Sequence, residues 1–265
     1  MESLMPTAWM KAHARLLLVA ASEPEARVVL QGLGLDVGAV EPWRLIVVDD
    51  RTATLCTGVG KANAAGAVAA LAPSQGLTGV VLLGLAGSLP GRTPPQLLDA
   101  VLATRCVFAD EGVGQEEGFS SMRAEGFPLF PQHAASAEQT DADCDACLPS
   151  THMLQWLSPL ADRKGPIATV STCSGSDALA QATAKRTGAI AEAMEGAAVG
   201  LALDRLVAAG LVDTPPLFGE LRVISNTTGD RDRQRWKLEE SLQALAPLAR
   251  EVRELCLPRL LELPG

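Results

Sequence analysis

Three segments of this 265-residue chain place acids, amides and glycines where they could do chemistry. In Glu192-Ala-Met194-Glu195-Gly196-Ala-Ala, two carboxylates stand between an apolar run and a small-residue segment. A carboxylate there is costly without a partner. A sugar diol is one such partner, because a carboxylate accepts two hydroxyl protons. The plainer account is an acid that favours a helix N-terminus, and it serves Glu192 as well. In Arg222-Val-Ile-Ser225-Asn226-Thr-Thr-Gly229-Asp230-Arg231-Asp232, an apolar run ends in polar side chains. Asn226 could read the edge of a heterocycle with its paired donor and acceptor, or simply open a turn before Gly229. Gly84-Leu-Ala-Gly87-Ser88 ends another apolar run. Ligands of open α/β sheets gather at the carboxyl ends of strands, and two glycines let them approach the backbone; a tight turn would use the same glycines.

Two other motifs fail on their spacing. Gly58-Val-Gly60-Lys61 invites a nucleotide, but a dinucleotide fingerprint needs Gly where Asn63 stands, and a P-loop needs Gly at Leu55 and a hydroxyl at Ala62. A strand-to-helix turn explains it better. Cys144-Asp-Ala-Cys147 has zinc-knuckle spacing but no second pair, and with only His13, His133 and His152 in the chain no metal site is expected.

The elements that must hold these segments read as α/β. Leu16–Ala21 is a strand apolar on both faces, followed by Ser22 as an N-cap before Glu23-Pro24-Glu25. Leu45–Val48 and Thr54–Thr57 are strands around a tight turn, and Lys61–Leu71 is an Ala-rich helix. Strands follow at Val80–Leu85, Ala100–Val107, Ile167–Cys173, Ile190–Ala193 and Leu217–Ser225. Helices are expected at Ser176–Thr187, Glu195–Ala209 and Arg235–Leu257. Residues 111–150 break the rhythm and read as a long surface excursion, a loop with some local helix. The expected architecture is a single three-layer α/β/α domain over residues 1–265 with a central mixed twisted sheet.

Composition narrows the partners. The net charge of −9, with 22 basic against 31 acidic residues, argues against a nucleic-acid partner. The alternating charges at 230–237 read as a solvated face. No apolar run is long enough to span a membrane. Six cysteines without framework spacing read as reduced thiols of a cytoplasmic protein. Aromatics are 3% of the chain and Tyr is absent, so the core must be aliphatic.

Taken in order, these segments resemble the nucleoside phosphorylase/nucleosidase superfamily. An N-terminal strand is followed by acids at 23 and 25, then TGVGKANAA, GLAGSL, STCSG, AEAMEGAA and RVISNTTGDRD. The likeness covers most of residues 14–250 and is weak over 111–150. Within the superfamily ISNTTGDRDRQRW is most similar to the futalosine hydrolases, which release hypoxanthine from futalosine in the alternative menaquinone pathway. Methylthioadenosine/S-adenosylhomocysteine nucleosidases and purine nucleoside phosphorylases are the alternatives.

The resemblance implies roles for particular residues. Glu25 would activate the attacking water, with Glu23 as the alternative. Glu195 would bind the ribose 2′- and 3′-hydroxyls, with Met194 packed on the sugar. Asn226 stands where the adenine-specific nucleosidases place an Asp that protonates N7. An amide delivers no proton, but it can hydrogen-bond N7 and O6 of a 6-oxopurine, with Asp230 or Asp232 assisting. Gly87, Ser88, Thr172 and Cys173 would line the substrate site. Phosphorolysis would need an Arg near the nucleophile, and Arg27 and Arg92 sit in no Gly-rich anion loop. No cofactor is implied, and a homo-oligomer is. With so few aromatics, one of Phe119, Phe127 and Phe130 in the excursion is expected to line the pocket.

Overall fold

The structure is a computed structural model that describes residues 15–72, 77–116, 118–131, 145–212 and 214–263. His13, His133 and Cys144 lie outside these ranges. The elements run β1 (Arg15–Ala20), α1 (Glu23–Gly32), β2 (Arg44–Val47), β3 (Thr52–Cys56), α2 (Lys61–Leu71), β4 (Leu77–Ser88) and β5 (Ala100–Phe108). They continue with β6 (Gly112–Gln115), β7 (Gly118–Ser121), β8 (Ala146–Cys147), α3 (Thr151–Leu157), β9 (Arg163–Thr169) and α4 (Asp177–Thr187). The last four are β10 (Ala191–Ala193), α5 (Gly196–Ala208), β11 (Leu217–Thr227) and α6 (Leu238–Leu261).

The central sheet is mixed and runs β10-β9-β5-β11-β4-β1-β3-β2, with β8 added on β5. β10 also pairs antiparallel with β4, Ala191 opposite Ser88 and Glu192 opposite Gly87. That second pairing closes β4, β11, β5, β9 and β10 into a ring, which brings the Glu192 segment back to the Gly87 segment.

Two core clusters flank the sheet, and β1 shows why its run is apolar throughout. Leu16, Leu18 and Ala20 face Val29 and Leu30 of α1 and Leu245, Ala249 and Val252 of α6. Leu17 and Val19 face Ala64, Ala67 and Val68 of α2 and Ala197 and Leu203 of α5. Successive strand side chains alternate between faces, so a strand covered by helices on both sides must be apolar at every position. The core is mainly aliphatic as expected, with Phe108, Phe130 and Phe218 as its buried aromatics.

The excursion differs from its expected form. It holds a two-stranded hairpin, β6–β7, and its end supplies β8 to the main sheet. Gly112, Gly114 and Gly118 hide the hairpin from any propensity argument, because Gly is depleted in strands. β9 stops at Thr169 rather than Cys173, because the Ser171 and Thr172 amides turn to donate to Asp110 Oδ2, at 2.6 and 3.2 Å. No helix among the described residues is long and apolar enough to cross a membrane.

Candidate active site

β1, β11 and β4 are parallel neighbours, so their carboxyl ends open on the same edge. The acids gather there. Ser22, just after β1, caps α1 as expected: its hydroxyl accepts from the Glu25 amide at 3.4 Å, and Glu25 Oε2 accepts from the Ser22 amide at 2.8 Å. This is a full capping box. The Glu25 carboxylate also reaches across to β4, where Oε1 accepts from the Leu85 amide at 2.8 Å. Glu25 is buried, whereas Glu23 pairs with Arg27 on the surface at 3.6 Å.

Arg222 on β11 ties this acid to the next. It is 1% exposed and is the largest fully buried side chain. Its Nη2 donates to Glu195 Oε2 at 3.1 Å and its Nε to Glu220 Oε1 at 2.8 Å. Glu220 and Arg222 are two apart on a strand and so share a face. Burial alone would lower the Arg222 pKa, but the carboxylates of Glu220, Glu195 and Glu25 raise it, so the guanidinium stays charged. Glu195 also accepts from the Gly60 amide at 2.9 Å and the Met194 amide at 3.3 Å. A carboxylate has about four acceptor positions, so one remains for a ligand hydroxyl. Burial raises the Glu195 pKa, with Arg222 opposing.

Gly60 can meet Glu195 because the Gly58–Gly60 turn has φ of +87° and +93° at its two glycines, a backbone only Gly adopts readily. The glycines of β4 serve as close-approach points. A Cβ on Gly84 would lie 2.6 Å from Arg222 Nη1 and 2.7 Å from Glu25 Oε1, so these two groups converge over its Cα. A Cβ on Gly87 would lie 3.2 Å from Asn226 Nδ2 and 3.6 Å from Glu192 Cγ. Side chains, rather than a ligand alone, therefore account for both glycines.

The Gly87 side opens into a cavity of about 190 Å³ lined by Gly87, Cys173, Ser174, Glu192, Asn226, Arg231, Gln234 and Trp236, with Gly175 completing the wall. Asn226 follows an irregularity in β11 between Ile224 and Asn226, and its Oδ1 accepts from the Ser225 hydroxyl at 2.9 Å. Glu192 is buried and held by Ser174, whose amide and hydroxyl bond it at 2.8 and 2.6 Å. Burial raises its pKa, and the two Ser174 bonds oppose this. The strip β4–β11 thus carries two adjoining halves: a charged half over Gly84 and a polar cavity beside Gly87.

Cys173 lines the cavity, while Thr172 is exposed and gives its amide to Asp110. The Ser88 hydroxyl is engaged with the Pro95 carbonyl at 2.7 Å. Met194 packs against the small cluster that contains Leu89, Ala168 and Val170. Asp230 is bonded to the Asp177 amide and to Arg233, which hold its carboxyl below the usual range; a proton donor is not what that environment makes. Phe130 is buried against Phe108, Phe127 is 67% exposed, and Phe119 lies under Arg186 in a different cavity. Arg92 lines yet another cavity, beside Leu89 and Ile190. Among the described residues no group of three His, Cys, Asp or Glu could hold a metal ion.

Arg222 and Glu220 were not singled out by sequence reasoning. The available signal was two opposite charges at i and i+2 inside the apolar run Leu217–Ile224, where isolated charges are rare.

A family model described as the phosphorylase superfamily matches residues 15–260. The chain belongs to that superfamily. It is 35% identical over 196 residues to the futalosine hydrolase of Thermus thermophilus, covering 74% of this chain and 78% of the relative. It is 34% identical over 203 residues to the futalosine hydrolase of Streptomyces coelicolor, covering 72% and 74%. Among solved structures, a Helicobacter pylori futalosine hydrolase mutant aligns with TM-score 0.66 at 17% identity, covering 91% of this chain and 99% of that one. The Helicobacter pylori 5′-methylthioadenosine/S-adenosyl homocysteine nucleosidase aligns with TM-score 0.66 at 18% identity, covering 92% and 100%. At these identities the structures establish the fold, which is the expected mixed α/β one.

Proposed function

We propose that this chain hydrolyses the N-glycosidic bond of futalosine and releases hypoxanthine. The observation that carries the reading is the pairing of the two halves: a buried Glu25–Arg222–Glu195 group adjoins a cavity that carries an amide, Asn226, on its wall. The futalosine hydrolase relatives, matched over about three quarters of both chains, support the particular substrate.

Cleavage of a glycosidic bond passes through an oxocarbenium-like sugar. Glu195 accepts a ribose hydroxyl and sets its negative charge beside the developing cation. Glu25 takes a proton from the water that adds to C1′. Its orientation is fixed by the bonds from Ser22 and Leu85. The C1′–N9 electron pair passes to the base, where Asn226 donates to O6 or N7. The amide suits a 6-oxopurine; an adenine leaving group calls for an acid at this place.

Water is favoured over phosphate by the placement of cations. Arg27 is paired with Glu23, Arg92 lines another cavity, and Arg222 is neutralised by two carboxylates. A phosphate dianion would find no uncommitted cation beside Glu25 among these three. The test is hypoxanthine release followed by coupling to xanthine oxidase, for the wild type, Glu25→Gln and Glu195→Ala. Loss of general-base help costs about 10²–10⁴-fold, and Glu25→Gln should fall in that range. Full turnover in both variants would remove these acids from the mechanism.

A further inference from the structure

The charged run at 230–237 reads as a solvated face, and Arg233 fits that reading, bonded to Asp177 and Asp230 at 2.5 Å each. Arg231 is exposed as well, but its side chain also borders the site. It lines the cavity that holds Asn226 and Glu192, and it is the only cation among the described residues lining it. Its carbonyl accepts from the Gln234 amide at 3.3 Å, but its side chain makes no hydrogen bond and no ion pair with the described residues. Its guanidinium is therefore left unpaired beside Asn226 and Glu192, where a ligand in the cavity can meet it.

The turn that carries Arg231 is held tightly. The Asp177 amide donates to Asp230 Oδ1 and the Asp230 amide to Asp177 Oδ1, both at 3.0 Å. The Gly229 amide donates to the Ser174 carbonyl at 3.2 Å, and Gln234 Nε2 donates to the Gly229 carbonyl at 2.9 Å. Residues 229–234 are thus fastened to the 174–177 segment on the far wall of the cavity. Arg231 projects from a clamped turn, and its charge reaches the Cys173 thiol, whose burial it opposes.

The cavity also lacks what the reaction needs at the leaving group. Asn226 carries no transferable proton, and Glu192 is a carboxyl that cannot stabilise a negative base when ionised. We propose that Arg231 is a catalytic residue on the leaving-group side, contacting O6 of the departing 6-oxopurine and stabilising the negative charge it acquires. This rests on the hydrolase reading above. In balance, the C1′–N9 bond breaks with its electron pair passing to the purine. A water oxygen bonds to C1′ and its proton goes to Glu25. Hypoxanthine leaves as an anion and is protonated afterwards by solvent. The same contact selects substrates: a guanidinium donates to the O6 acceptor, whereas a 6-amino group presents N–H donors against it.

The test compares wild type, Arg231→Lys and Arg231→Gln on futalosine and on its 7-methyl derivative. N7-methylation puts a positive charge on the base, so the base departs neutral and needs no cation. R231Q is expected to lose about 10²-fold in kcat/KM on futalosine, the usual effect of removing one preorganised donor. On the methylated substrate it should lose no more than a few-fold, and R231K should recover part of the loss. Equal losses on both substrates, or none on futalosine, overturn the assignment while leaving the hydrolase reading in place. A wild type that releases no hypoxanthine from futalosine overturns the hydrolase reading instead. Arg231 is then decided by titration with hypoxanthine. Wild type must bind more tightly as the pH rises through the ionisation of the base, and R231Q must not; a flat wild-type profile, or no binding, overturns the assignment.

Discussion

Gly84→Ala probes the convergence of Glu25 and Arg222 with a single methyl group. The added Cβ would lie 2.6 Å from Arg222 Nη1 and 2.7 Å from Glu25 Oε1, against ordinary contact that begins at 3.4 Å. Each group must therefore retreat by most of an ångström, and neither is free to do so. Arg222 is bonded through Nε and Nη2, and Glu25 is held by Ser22 on one oxygen and by Leu85 on the other. Overpacking of this kind costs about 1–3 kcal/mol, which lowers Tm by roughly 2–12 °C in a chain of this size. A displacement near 1 Å in a positioned group costs about 10²-fold in rate. The expected result is a kcat lower by about two orders of magnitude, while hypoxanthine affinity changes by less than a few-fold, because Asn226 and Glu192 lie over Gly87 instead. Gly91→Ala, whose Cβ would meet nothing within 4 Å, is the control and should match wild type. Full turnover in Gly84→Ala would refute the claim that Glu25 and Arg222 are held as a unit over this residue.

Gly196 follows the same logic more severely, since its Cβ would lie 2.0 Å from Glu220 Oε2. Glu220 is fully buried, and breaking a buried ion pair costs about 3–5 kcal/mol, so Gly196→Ala should unfold at a clearly lower temperature in a thermal melt. The pH dependence of stability provides a third check. Burial raises the Glu192 pKa, so the folded state binds its proton more tightly than the unfolded state does. The stability this contributes is complete below the ordinary carboxylate pKa and is lost as pH rises through the raised value. Glu192→Gln has no proton to lose. Its Tm relative to wild type should therefore improve as pH rises from the ordinary carboxylate pKa through the raised value; a constant difference would contradict the burial argument.

Much of the fold was legible because both-face burial writes itself into the sequence. The run at Leu16–Ala20 is uniformly apolar, and the Lys61–Leu71 helix has the bounds read from its Gly-rich entry turn. What remained hidden depends on distant partners. The β10–β4 pairing joins residues about a hundred positions apart and leaves no local trace in Ala191 or Glu192. The hairpin at 112–121 is built on glycines, and helix α3 begins at Thr151, directly after the irregular stretch of residues 111–150. The site divides in the same way. Glu25, Glu195 and Asn226 are marked by their motifs, and the structure brings Glu25 and Glu195 to one arginine. Arg222 itself is marked only by standing two residues from Glu220 inside an apolar run, because its partner Glu195 lies 27 residues away. The aromatic expectation was the least informed. Whether Phe119 faces a ligand or Arg186 depends on packing that composition does not encode.

The central claim is cleavage of a 6-oxopurine nucleoside by water. Its most direct measurement is product analysis from futalosine in phosphate-free buffer, repeated with phosphate and with methylthioadenosine. Hypoxanthine and the free sugar product are expected at the same rate with or without phosphate, with little adenine from methylthioadenosine. Turnover that requires phosphate and yields a sugar 1-phosphate, or adenine release faster than hypoxanthine release, would contradict it.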